Sequence, residues 1–288
     1  MRVLIIGPGY VGSHLACELK RTGHEIATLG RTAATKTDLT KAGIQTFNAD
    51  ITQPASLEKI PSQWDWIVNC ASSSRGTIEE YRAVYLEGTR NLLNWLSKSP
   101  LQKFVYTSST GVYAQNDGSV VTEASPTIPE SETGTVLIET EDTLLAAARE
   151  RSFPSIILRV SGIYGPNRGY WLKQLQSGEA RLDDAGQRIL NMVHRDDVTG
   201  AIIAAFEKGR PGQIYNVSDD EPVTQIELFK WLSKKFGKPL PPAVDFRTGG
   251  ARKRATTCKR VSNGRLKTEL GYELKYCTFR EGFESLGL

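Results

Sequence analysis

Arg2-Val3-Leu4-Ile5-Ile6, followed at once by Gly7-Pro8-Gly9-Tyr10-Val11-Gly12, is the stretch on which the fold turns. Four consecutive apolar residues after Arg2 read as a strand buried on both faces, the habit of a parallel sheet covered by helices on each side. The glycines come next at G-x-G-x-x-G spacing, and Val11 to Thr22 then takes up the apolar spacing of a helix. In that context Gly7 allows a tight turn, Gly9 lets backbone approach a pyrophosphate, and Gly12 lets the helix pack on the strand. The helix N-terminus adds unpaired N–H groups that favour negative charge. A glycine turn without ligand is the plainer alternative; the strand before and the helix after favour dinucleotide binding. Tyr10 and Val11, which open the helix, join the candidate cofactor contacts.

The same alternation continues outward. Glu25 to Leu29, Gln45 to Asn48, Trp66 to Asn69, Phe104 to Thr107 and Ser155 to Val160 read as strands. Thr77 to Ser97 and Thr135 to Arg151 read as helices. Strands alternating with helices predict an α/β fold, a doubly wound parallel sheet whose right-handed crossovers gather the functional loops along one edge. After Gly165-Pro166 the pattern loosens: a loop is expected from Asn167 to Gly186, a turn at Ser218 to Pro222, a helix from Val223 to Phe236 and a Pro-rich break at Lys238 to Pro242. The expected division is a dinucleotide-binding domain over 1–165 and a smaller substrate lobe over 166–288, with a late strand and helices returning to the sheet.

Composition narrows the function. The 288 residues carry 36 Lys plus Arg against 32 Asp plus Glu, a net charge of +4 spread along the chain, which is no footprint for nucleic acid. No uncharged run approaches the roughly 20 residues that span a bilayer. The apolar opening is broken by Gly7-Pro8-Gly9 and followed by no small-residue cleavage site, so the cytoplasm is expected. Cys17, Cys70, Cys258 and Cys277 show neither CxxC pairs nor even spacing, which predicts buried free thiols rather than disulfides or a zinc site.

The second strand ends Leu29-Gly30-Arg31-Thr32, with no carboxylate where an adenosine ribose would be held. Arg31 suits a 2′-phosphate, which its planar donors bind bidentately, so NADP is favoured over NAD; a solvated loop cation is the alternative. Asp50-Ile51 closes the third strand, where the Asp would accept from an adenine amino group and the Ile pack its ring, or the Asp would cap the segment beginning at Gln53.

Gly7 to Gly12, Asp50-Ile51, Thr107-Ser108-Ser109, the run Arg159-Val160-Ser161-Gly162-Ile163-Tyr164-Gly165-Pro166 and Val193-His194-Arg195-Asp196-Asp197-Val198 together resemble the extended short-chain dehydrogenase/reductase family, whose members include epimerases and dehydratases of nucleotide sugars. Gly88-Thr89-Arg90-Asn91-Leu92-Leu93 and Gly212-Gln213-Ile214-Tyr215-Asn216-Val217 look like further landmarks, so the resemblance spans nearly the whole chain. It implies a Rossmann domain with cofactor contacts that include Thr107 and Val160, and a homodimer through the helices carrying Gly88 and Glu141.

The family's catalytic set is an Asn, a Ser or Thr, and a Tyr four residues before a Lys that depresses the Tyr pKa. Ser109 matches the serine. Pro129 to Leu137, with Glu141 beyond, resembles the segment around the pair, yet Thr133 stands for Tyr, Leu137 for Lys and Tyr85 for the Asn. A Thr hydroxyl is too weak an acid to do the phenol's work, and Leu137 brings no charge. The resemblance is therefore to the atypical branch without the pair. Tyr113 and Tyr85 are the candidate proton donors, with His194 a third, and each has a packing or capping alternative.

Ser72-Ser73-Ser74-Arg75 reads as an anion-donating or ordinary polar loop. Arg252-Lys253-Arg254 with Lys259-Arg260 reads as a solvated loop or as cations closing over a phosphate or anionic substrate. The expected function is an NAD(P)-binding oxidoreductase or epimerase acting on a small polar organic substrate; a catalytically silent NADP-binding sensor or assembly protein is the competing class.

Overall fold

The computed structural model describes residues 1–31, 36–73, 77–244 and 257–287. Strand and helix alternate from the start: β1 (Arg2–Ile6), α1 (Tyr10–Arg21), β2 (Glu25–Gly30), α2 (Lys36–Lys41), β3 (Gln45–Asn48), α3 (Pro54–Leu57), β4 (Trp66–Asn69), α4 (Ile78–Arg82), α5 (Gly88–Trp95), β5 (Lys103–Ser109), β6 (Val120–Val121), α6 (Glu132–Arg151) and β7 (Ser155–Val160). The remainder adds β8 (Gly162–Tyr164), α7 (Tyr170–Gln176), β9 (Leu182–Asp183), β10 (Ile189–Leu190), β11 (Met192–His194), α8 (Arg195–Lys208), β12 (Ile214–Val217), β13 (Val223–Thr224), α9 (Gln225–Phe236), β14 (Ala243–Val244), β15 (Arg260–Val261), α10 (Gly264–Leu270) and α11 (Phe279–Glu284).

Seven strands form the central sheet in the order β12-β7-β5-β4-β1-β2-β3, every neighbouring pair parallel. The winding reverses between β1 and β4, and in such sheets that switch point opens a crevice beyond the carboxyl ends of the strands. One face is covered by α1, α8 and α10 through Leu15, Leu19, Ile202, Ala205 and Leu266. The other is covered by α3, α5 and α6 through Leu57, Leu92, Leu93 and Leu144. A third cluster, with Leu172, Leu228, Phe229, Phe279 and Phe283 at its centre, is the core of the C-terminal lobe. The doubly wound sheet and the late strand β12 are as the sequence pattern requires.

Local expectations meet four corrections. The stretch expected as a loop from Asn167 holds α7, whose seven residues bury only Leu172 and Leu175, too short a signal for periodicity to register. Val223–Thr224 is a strand pairing with β10, and the helix behind it starts at a capping box between Thr224 and Glu227. The expected helix from Thr77 to Ser97 is broken by a π-helical turn at Ala83–Glu87. Cys17 lies exposed on α1 rather than buried; it and the other three cysteines are free thiols. Among the described residues no helix is long and apolar enough to cross a membrane, and no three His, Cys, Asp or Glu side chains are grouped to hold a metal ion.

Candidate functional site

The turn after β1 is shaped by close approach. Gly7 has φ +82°, and a Cβ there would lie 2.6 Å from the backbone of Ala71, so the loops after β1 and β4 meet only because Gly7 has no side chain. A Cβ on Gly12 would come within 2.4 Å of the Gly7 carbonyl oxygen, which fixes how tightly α1 sits on the turn. Gly9 faces open space, with nothing within 4 Å of where its Cβ would be. The first turn of α1 has neither a side-chain cap nor an acidic residue, so its N–H groups stay available to an anion. Tyr10 is fastened outward, its hydroxyl donating to the Pro166 carbonyl at 3.0 Å.

Beyond this turn lies a cavity of ≈ 300 Å³, walled by Gly7, Pro8 and Gly9 on one side and by Arg31, Asp50, Ile51, Ser72 and Val84 on others. A bare glycine backbone, an uncapped helix N-terminus and an apolar slot beside an arginine fit a dinucleotide's pyrophosphate and adenosine. Arg31 is half exposed, and its Nη1 lies 3.6 Å from Asp50 Oδ2. Asp50 Oδ1 accepts from the backbone N–H and the hydroxyl of Thr52, both at 2.9 Å, so this oxygen closes a local turn rather than capping α3, whose N-cap is Gln53. Ile51 is held on the wall from behind. Asn91 donates to its carbonyl at 2.8 Å, and Gly88 leaves room for its side chain, since a Cβ there would lie 2.7 Å from Ile51 Cδ1. Thr107, two residues before the end of β5, and Val160, at the end of β7, are outside this cavity's lining; Thr107 Oγ1 donates to the Asn69 carbonyl at 3.2 Å.

The other half of the edge is built differently. Ser109 ends β5 and caps the turn Thr110–Val112, its Oγ accepting from Gly111 N–H at 3.1 Å. Tyr85 lies in the π turn with its ring 4.2 Å from that of Tyr81. Burial raises its pKa, while hydrogen bonding to Tyr81 and to the backbone of Ser73 pulls it partly back, so the phenol stays protonated at neutral pH. Tyr113 needs correction as a proton donor: it is fully buried, donates to Asn216 Oδ1 and accepts from Arg159 Nη1, each at 2.8 Å. A hydroxyl spent twice in the interior is a structural strut. Thr133 is exposed in the first turn of α6, its hydroxyl donating to Ser131 Oγ at 3.3 Å. Leu137 is buried in an apolar cluster with Val112, Tyr113, Val121 and Val261.

His194 caps α8, Nδ1 accepting from Asp196 N–H at 3.2 Å. Burial pulls its pKa down to about 4, against the attraction of Asp196. It is thus a neutral cap, as its alternative reading held.

One group had no chemical role in the sequence reading. Arg159 pairs with Glu141 through Nη2 at 2.6 Å and Nε at 3.0 Å, and Ser108 Oγ also donates to that carboxylate, all three residues being buried. The signal was present: a lone arginine inside the apolar strand Ser155–Val160 demands a buried partner. Lys259, read either as part of a solvated loop or as a cation closing over an anion, is also buried, which removes the solvated-loop alternative. The remaining basic run Arg252-Lys253-Arg254, together with Ser74, Arg75 and Thr32, lies outside the described residues.

Comparison with known proteins was consistent with this geometry. The model of the NAD dependent epimerase/dehydratase family matches residues 3–218. Protein YeeZ of Escherichia coli (strain K12) is 24% identical over 283 residues, covering 96% of each chain. A 3-diazoavenalumate denitrifying reductase of a Streptomyces species is 24% identical over 303 residues, covering 98% of this chain and 99% of its own. Among solved structures, one from Methylobacillus flagellatus, provisionally described as an NAD-dependent epimerase/dehydratase, is 33% identical with a TM-score of 0.79, covering 99% of this chain and 97% of the other.

Proposed function

The chain belongs to the NAD dependent epimerase/dehydratase family, and within it we propose an NADP-preferring oxidoreductase or epimerase that acts on a small polar organic substrate without a Tyr–Lys pair. The observation that carries the cofactor part is Arg31 on the cavity wall opposite the glycine turn, with no carboxylate at the end of β2. A guanidinium there adds charge-assisted bonds to a 2′-phosphate that NAD lacks. The Asp50 carboxylate 3.6 Å away holds the guanidinium near the cavity without the tight bidentate geometry that would consume its donors.

When bound, the nicotinamide gives or takes a hydride; the chain's own groups must orient the substrate oxygen and handle its proton. Ser109, at the end of β5, is the group assigned to polarise that oxygen. Tyr85 is the assigned proton donor, because Tyr113, the other candidate phenol, has its hydroxyl spent in the interior; the Tyr85 phenol is protonated at neutral pH. Leu137 and its apolar neighbours exclude water and supply no charge, which supports chemistry that does not rest on a phenolate. A homodimer through α5 and α6 belongs to this reading, as does a cytoplasmic location.

Calorimetry with NADPH and NADH tests the cofactor assignment: tighter binding of NADPH is expected, and no heat with either would overturn it. NADPH oxidation with a panel of carbonyl compounds tests turnover. The buried Leu137 also favours a second reading, a silent NADP-responsive binding protein. That reading requires NADPH to change the oligomer or partner binding while the whole panel stays unreduced.

A further inference from the structure

Among the described residues, the buried cation Lys259 has no counter-ion. It precedes β15, which pairs in parallel with β6. The segment is fastened to the loop beyond Ser109, since Cys258 N–H donates to the Gln115 carbonyl at 3.1 Å and the Cys258 carbonyl accepts from Gly118 N–H at 2.8 Å. Asn191 holds the same segment from the other side, donating to the Lys259 carbonyl at 2.9 Å and accepting from Val261 N–H at 2.8 Å. Side chains two apart on an extended segment share a face. Val261 packs in the cluster containing Leu137 and Tyr113, and the Lys259 ammonium, only 4% exposed, reaches the Tyr113 carbonyl.

Nζ donates to that carbonyl at 2.7 Å and to Thr257 Oγ1 at 2.8 Å. An ammonium has three donors. Among the described residues no carboxylate pairs with this one, and the charge that acts on it most strongly is a second cation, Arg188. Burying an ion without its opposite costs several kcal/mol, whereas two neutral acceptors would be served equally by an uncharged donor. Lashing two loops together therefore does not account for a lysine here. Where the resemblance leads one to expect a lysine at 137, the chain has an apolar residue; this cation reaches the neighbouring loop from the C-terminal lobe.

We propose that Lys259 is the anion-recognition residue of the substrate site, its missing counter-charge being a carboxylate or phosphate group of the substrate held at the seam between the loop after β5 and the C-terminal lobe. The inference rests on the small polar substrate proposed above and narrows it to an anion. Burial and the repulsion of Arg188 pull the ammonium's pKa down to about 8, with Cys258 acting in the opposite direction. An anion arriving beside it must push that value back up.

The test is NMR of the full-length protein with carbon-13-labelled lysine, arginine and cysteine, the Lys259 signal assigned by Lys259→Arg and titrated with pH at constant ionic strength. The probes are inorganic phosphate and, separately, succinate, and the signals of Arg188 and Cys258 are followed alongside. A saturable rise of the Lys259 midpoint by about a unit or more with either probe is expected. A response to phosphate assigns phosphorylated substrates, and one to succinate assigns carboxylates. Read from the Arg188 and Cys258 signals, the affinity for the responding probe is expected to weaken by about tenfold or more in Lys259→Met and to stay within about threefold in Lys259→Arg. A midpoint that neither probe moves, or a Lys259→Met protein that responds like the parent, overturns the proposal. Should Lys259→Met fail to fold, the titration of the unmodified protein decides alone. Calorimetry with NADPH on the same samples separates the two ideas: cofactor heat without an anion response removes the anion site only, and the reverse removes the cofactor assignment only.

Discussion

The two halves of the sheet edge are made of different material. Around the loops after β1 to β4, the site is mostly backbone: a glycine turn, a bare helix end and an apolar slot, open over ≈ 300 Å³ with one arginine on its wall. Around the loops after β5 and β7 it is side chains, locked together across the chain. Ser108, Glu141, Arg159, Tyr113 and Asn216 form one buried chain of hydrogen bonds, and Asn216 is tied on to the Glu123 carboxylate and the Ser262 carbonyl. A binding surface made of backbone tolerates sequence drift provided that its glycines remain. A surface made of interlocked side chains changes its chemistry when any one of them changes.

The comparison breaks most visibly at the buried ion pair. Arg159→Met leaves the Glu141 carboxylate buried with only the Ser108 hydroxyl and no counter-charge, and is expected to destabilise the fold by about 3–5 kcal/mol in urea unfolding. A loss below about 1 kcal/mol, the range of exposed pairs, would mean that this half is not interlocked. Acid should tell next. His194 has its folded pKa depressed to about 4 from 6.5, so its contribution to stability is fully present above pH 6.5 and is lost as the pH falls toward 4. The expected cost is up to ~3 kcal/mol over that window. His14, also depressed by burial, acts in the same direction. Urea midpoints measured across these pH values should flatten in His194→Gln, and an unchanged acid limb would rule out His194 as its source.

Two substitutions sharpen the contrast by separating chemistry from binding. Ser109→Ala is expected to lower turnover by roughly 100-fold, the scale of one lost donor to a developing oxyanion, with cofactor affinity nearly unchanged. Equal turnover in the variant removes the role. Arg31→Ala is expected to weaken NADP by about 1.5–3 kcal/mol, the scale of a charged hydrogen bond, and barely to touch NAD in calorimetry. Equal losses for both would end the NADP preference.

The legibility of the chain follows the same division. The turn at Gly7 to Gly12 was readable because its requirements are local: a positive φ and a missing Cβ are properties of single residues, and strand and helix flank them in sequence. Asp50 was read only in part, since whether its oxygens serve Thr52 or Arg31 depends on a loop's exact course. Tyr113 was misread because a tyrosine near a strand end carries no mark of whether it faces outward or toward Arg159, which lies 46 residues away. The solvated-loop alternative for Lys259 failed for a related reason: a basic run looks solvated until a distant loop, here 146 residues earlier, closes over one of its members.

By itself the sequence determined the parallel sheet and the glycine turn at its edge, because hydrophobic period and glycine placement act over neighbouring residues. Only the tertiary structure decided which side chains are spent in the interior and which are left to act. Burial and hydrogen-bond partnership are set by residues far apart in the chain, and a hydroxyl or an ammonium takes its chemistry from the partners it has there.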